Sequence, residues 1–174
     1  MRSARQSLYA RTWDGWKMSI VAKRSLVGLL LISIVGFPNS AWTELSVSLS
    51  TITFAFGTRP ANTWLTPQTT VVRNDGTEAE KLKAKLSQFI TADSANTWAL
   101  SSTANGADLI RARWSTASDT GSWTDLSAYD SEFAIATNVA VNDSVTFWFQ
   151  IQTPTTTTAY DEYSATLTIT AATP

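Results

Sequence analysis

The side chains best suited to chemistry in this sequence are aromatic. Six tryptophans, Trp42, Trp64, Trp98, Trp114, Trp123 and Trp148, follow residue 41. An indole can stack its apolar face on a sugar ring, and Tyr160 and Tyr163 could assist. The competing use of such rings is to fill a core, lie beneath a loop or sit at a subunit contact. Trp148 stands between Phe147 and Phe149, so strand alternation turns it away from both. Trp64, Trp123 and Trp148 are therefore the residues expected to carry any stacked ligand.

Carboxylates come second. Asp119, Asp125, Asp130, Glu132, Asp143, Asp161 and Glu162 crowd the later part of the chain. Calcium needs six to eight oxygens, and loop carboxylates with carbonyls can supply them. Asp125, Asp130 and Glu132 are the candidate ligands, although no Asp-x-Asp-x-Asp-Gly loop is present; solvated loop charge is the alternative. The pairs Asp130/Glu132 and Asp161/Glu162 have the composition of a glycosidase dyad, but acids this close diverge on a strand or loop. The chain has no cysteine and no histidine. That removes thiolate nucleophiles, disulfides, the commonest general base and the commonest transition-metal ligand. A Ser–Lys arrangement would have to use Lys81, Lys83 or Lys85, which a strand places on one solvated, charged face. The expectation is a protein that is not an enzyme.

Before those residues lies a different kind of segment. Lys23 and Arg24 precede an apolar run from Leu26 to Phe37, and Pro38-Asn39-Ser40-Ala41 follows. This is the pattern of a secretory leader, residues 1–41, with cleavage after Ala41. Met18 is the better start. The run is short for a membrane span, which needs roughly 20 apolar residues, so membrane attachment would be only through an uncleaved leader. The leader carries six bases (Arg2, Arg5, Arg11, Lys17, Lys23, Arg24) and one acid (Asp14), leaving residues 42–174 with seven bases, thirteen acids and a net charge of −6. Such a domain is poorly matched to a phosphate backbone. No nucleic-acid partner is expected.

The elements that must position these side chains are short and alternating. Leu45–Ser50 alternates throughout; Ile52–Phe56 stops at Gly57; Thr69–Arg73 ends at the turn signal Asn74-Asp75-Gly76. Thr97–Leu100, Asp108–Trp114 and Phe133–Ala136 follow. Such runs predict an all-β, antiparallel sandwich in residues 42–174. Glu78–Phe89 is open to two readings. Thr77 with Glu80 could cap a helix, whereas Lys81–Leu86 alternates charge and apolar side chains. The strand is preferred, with its lysines guarding a sheet edge. At the end, Val145, Phe147, Phe149 and Ile151 share one face, and Tyr163, Ala165, Leu167 and Ile169 another. The two runs are expected to be antiparallel neighbours, joined by an exposed threonine-rich connection.

The stretch "STITFAFGTRPANTWLTPQTTVVRNDGTEAEKLKAKLS" (residues 50–87) resembles the opening of ASH-type and related bacterial Ig-like domains. Phe56-Gly57 ends one strand and Asn74-Asp75-Gly76 the next, as in those domains. The remainder, including "VTFWFQIQTPTTTTAYDEYSATLTITA", is similar to small secreted bacterial β-sandwich proteins, and more loosely to camelysin/TasA-like fibre subunits. The resemblance implies a single Ig-like β-sandwich with a structural or binding role, and it carries no metal ligands or catalytic residues. The function expected is a secreted structural or adhesive protein, extracellular, at the cell surface or periplasmic. It would assemble with itself or with other envelope proteins through edge strands. Leu45, Val47 and Leu49 mark the strand most suited to completing a neighbour's sheet. The alternative is a stand-alone module that binds a glycan or another envelope component.

Overall fold

The computed structural model describes residues 17–22 and 44–174. The leader reading lies outside the described residues except at Lys17–Ala22. All regular structure described is β. The strands are β1 (Lys17–Ala22), β2 (Val47–Leu49), β3 (Thr53–Ala55), β4 (Gln68–Asn74), β5 (Glu80–Leu86), β6 (Phe89–Thr91), β7 (Thr97–Leu100), β8 (Leu109–Ser115), β9 (Thr124–Asp125), β10 (Phe133–Val139), β11 (Ser144–Gln152) and β12 (Tyr163–Ala172).

They form the two layers of a sandwich. In the first sheet β12 pairs with β5 and β6 on one side and with β1 on the other; β10 lies beyond β5, β7 beyond β6, and β3 beyond β1. In the second sheet the order is β2-β4-β11-β8-β9. A short parallel pairing of β7 with β8 links the two. The β1–β12 pairing is also parallel, so the sheet is mixed where pure antiparallel pairing was expected.

The core lies between the layers. Phe147, Phe149 and Ile151 of β11 and Tyr163, Leu167 and Ile169 of β12 are almost wholly buried, with Leu82, Leu86, Ile110 and Phe54. Trp114 turns inward and stacks on Phe133 at 5.1 Å and on Phe147 at 6.1 Å between centroids. Trp98 lies flat on Tyr163 at 3.9 Å, and its Nε1 donates to Thr157 Oγ1 at 3.1 Å. Both tryptophans are thus core residues.

Two expectations about neighbours are corrected. First, β11 and β12 are not paired: they belong to opposite sheets and face each other across the core. Period-two alternation identifies which face of a strand is buried, not which strand lies beside it. The connection between them crosses the sandwich, and parts of it are internal. Thr153 is buried, donates from Oγ1 to Pro60 O at 2.8 Å and accepts there from Thr63 N–H at 2.8 Å; Pro154 and Thr157 are buried too. Second, β5 is a strand, as its alternation requires, with Leu82, Ala84 and Leu86 inward. It is not an edge, because β10 pairs along its outer side. Its three lysines are half-buried between neighbours. Among the described residues the outer edges are short or irregular. β2 and β3 have three residues each, and β10 carries two register shifts.

The turn after β4 behaves as the sequence indicates. Asn74 is buried and its Oδ1 accepts from Gly76 N–H at 2.8 Å, while its Nδ2 donates to the carbonyls of Glu78 and Val139. A side chain at Gly76 would strike the Glu80 carboxylate and the Glu44 carbonyl.

Candidate functional site

The outer face of the second sheet gathers most of the side chains that could recognise a ligand. Inward-facing Ile110, Ala112 and Trp114 on β8 leave Arg111, Arg113 and Ser115 outward. On β11 the corresponding outward residues are Trp148, Gln150 and Gln152. Register aligns them in rows. Trp148 is opposite Ser115, Gln150 opposite Arg113, and Gln152 opposite Arg111. On the far side of β8, Asp125 is opposite Arg113, and the register carried one residue further sets Trp123 beside Ser115. Ser115 is 3% exposed, a small residue between two large rings.

Trp64 enters from the connection before β4. It forms a β-bridge with Gln152, and Leu65 N–H donates to Ile151 O at 2.9 Å. The Arg113 guanidinium lies 3.9 Å from the Trp64 ring centroid and 4.8 Å from that of Trp123, so the two indoles clamp it. Arg111 lies 5.1 Å from Trp64. Arg111 Nη2 donates to both Asp125 oxygens at 3.1 and 3.2 Å. Arg113 Nε donates to Gln150 Oε1 at 2.8 Å, and Gln150 Nε2 donates on to Leu65 O at 2.6 Å. The chain of contacts therefore straps the Trp64 connection onto the sheet. Burial lowers the Arg113 pKa from the usual guanidinium value; Asp125 opposes that shift and Arg111 adds to it. The group nonetheless stays charged at any ordinary pH.

The structure thus brings Trp64, Trp123 and Trp148 onto one face, each half-buried. It also changes what the first two can offer, since Arg113 covers a face of each ring. Trp148 has no ring or cation stacked on it among the described residues.

The calcium candidates are not brought together. Asp125 is paired with Arg111 and Glu132 with Lys83 at 3.1 Å. Asp130 is exposed, with a positive φ of 54°. Among the described residues no group of three acidic, histidine or cysteine side chains has the arrangement of a metal site. Asp93, Asp161 and Glu162 line a shallow opening with Thr91 and Ala92. There the Asp93 carboxylate is held below its ordinary range by the Thr91 hydroxyl and the Ala95 N–H.

Leu45, Val47 and Leu49 lie on the other edge of the same sheet. Val47 is buried in its own core, and β2 pairs with β4 of its own chain. Ser46 N–H donates to Glu80 Oε1 at 2.7 Å. The strand expected to serve a neighbour is seated in cis in this structure.

Sequence reasoning missed Arg111, Arg113, Gln150 and Gln152. A signal was present: Leu109–Ser115 places two arginines at alternate positions of a strand whose other face is apolar. The chain matches no protein-family model, and no curated protein matches it.

Proposed function

We propose that the protein is an exported, non-catalytic structural or adhesive subunit that assembles by strand addition to the first sheet. One observation carries this reading. The space between β12 and β3 is filled by β1, which pairs with six residues of β12, Ser164–Ile169, and three of β3. β1 lies inside the segment that reads as a secretory leader. Export with cleavage after Ala41 takes the strand away and leaves Ser164–Ile169 of a long internal strand without its partner. An open strand edge is a template for another strand. The occupant proposed is a second copy of this chain, through its Leu45–Ser50 strand, whose ladder at home is three residues long. The other edges support the assignment by contrast, because each is short or bulged.

The test compares the full chain with protein beginning at Trp42, by light scattering after size exclusion and by negative-stain microscopy. The shorter protein is expected to form oligomers or fibres. A synthetic peptide of residues 17–22 with polar flanks should cap it as a monomer, and a scrambled peptide should not. A monomer at every concentration, unaffected by the peptide, would refute strand addition.

A further inference from the structure

The Arg113 cluster offers a ligand something quite distinct from the assembling edge. Two indoles cover the faces of the guanidinium, and Gln150 takes its Nε. The two terminal nitrogens have no acceptor among the described residues. They are not among the buried polar atoms that lack a partner, so they reach solvent. What the clamp leaves open is the guanidinium edge, a pair of parallel N–H donors in a fixed plane. That is the geometry which recognises a carboxylate bidentately. The charge around it agrees. Arg111 is neutralised by Asp125, whereas the direct partner of Arg113 is a neutral amide. Of this pair, Arg113 is the one whose terminal nitrogens hold no carboxylate, on a domain whose net charge is −6 across residues 42–174.

The next row supplies the rest of the site. Trp148 is two residues from Gln150 along β11, a separation of about 7 Å in a strand. Its ring is half-buried and nothing else stacks on it among the described residues. An apolar ring face beside planar donors, with the two part-exposed Asp125 carboxylate oxygens nearby as acceptors, matches a pyranose. Such a ring has an apolar C–H face and hydroxyls that both donate and accept. An acidic peptide would use the guanidinium but would leave the ring and the acceptors idle.

We propose that the outer face of the second sheet binds an acidic saccharide, its uronate carboxylate edge-on to Arg113 and its sugar ring against Trp148. The site lies away from β12 and its edge, so it stands or falls separately from the assembly.

Calorimetric titration of the protein with trigalacturonate, and with its methyl ester, tests this directly. The acid should bind and the ester should bind at least about tenfold more weakly, since it keeps the ring and loses the charge. Arg113→Lys retains the cation without the planar edge and should weaken the acid by about tenfold. Trp148→Ala should weaken acid and ester by similar factors. Circular dichroism at the assay temperature establishes that each variant is folded. No heat with the acid, equal affinity for acid and ester, or a folded Arg113→Lys protein that binds unchanged would each overturn the proposal. The ester comparison uses the unaltered protein, so it decides the matter even where a variant fails to fold.

Discussion

Replacing Arg113 by alanine should loosen the connection that carries Trp64. The mutation removes two cation–π contacts, at 3.9 and 4.8 Å, and the hydrogen bond to Gln150. Each contact in a partly desolvated setting contributes about 1–2 kcal/mol. A hydrogen bond from a charged donor contributes about 1.5–3 kcal/mol. Removing a desolvated cation beside Arg111 returns part of this, because burial and the like charge both act against it. The expected net loss is about 2–4 kcal/mol, or a fall in melting temperature on the order of 10 °C for a domain of this size. Urea unfolding followed by tryptophan fluorescence measures it. A double-mutant cycle with Trp64→Ala should show a coupling of about 1–2 kcal/mol, because the two groups are in contact. A loss below about 0.5 kcal/mol, with strictly additive single mutants, would mean that the clamp is incidental and the connection is held elsewhere.

Two further predictions concern buried polar groups. Glu80 is fully buried; one carboxylate oxygen accepts from Ser46 N–H and the other has no hydrogen-bond partner among the described residues. Burial raises its pKa, the Ser46 bond opposes this, and the nearby charge of Asp75 adds to the rise. The folded state therefore holds the proton more tightly than the unfolded chain. The contribution of Glu80 is fully favourable below its unfolded pKa of about 4.5 and is lost as pH climbs through the raised value. Relative to Glu80→Gln, the parent protein should lose stability as pH rises from about 4.5 through the raised pKa, read from urea midpoints. Thr157→Val would remove one acceptor of the buried Trp98 indole N–H, Thr157 Oγ1 at 3.1 Å, while the Tyr163 hydroxyl remains beside it. The expected cost is about 0.5–1.5 kcal/mol in denaturant unfolding, and Thr157→Ser should recover most of it.

Face assignments were legible in the sequence. Alternation in Ser144–Gln152 and Tyr163–Ala172 names the buried residues of both strands, and the same pattern identifies β5 as a strand despite its helix-forming residues. Burial of Leu82, Ala84 and Leu86 outweighs an intrinsic preference of a few tenths of a kcal/mol per residue. Neighbours were not legible, because both hairpin and crossing are open to a connection the length of residues 153–162. The tryptophans were visible as a type but not by role. Trp98 and Trp114 enter the core, while Trp64 and Trp123 face outward around Arg113. That contact depends on the register of β8 against β9 and on a bridge from residue 64 to residue 152. Both are long-range pairings that no local pattern specifies.

The proposed assembly turns on the fate of one strand edge. Hydrogen exchange at Ser164–Ile169, in protein beginning at Trp42, reads that edge directly. The account predicts that the alternate amides of this stretch that face β1 exchange fast in dilute monomer, while Thr166 N–H, bonded to Ser87 Oγ on the other side, stays protected. The β1-facing amides become protected as concentration rises and oligomers form, or when the peptide of residues 17–22 is added. Protection in dilute monomer equal to that of the full chain would contradict it, for then the first sheet would close without β1 and offer no place for a second copy.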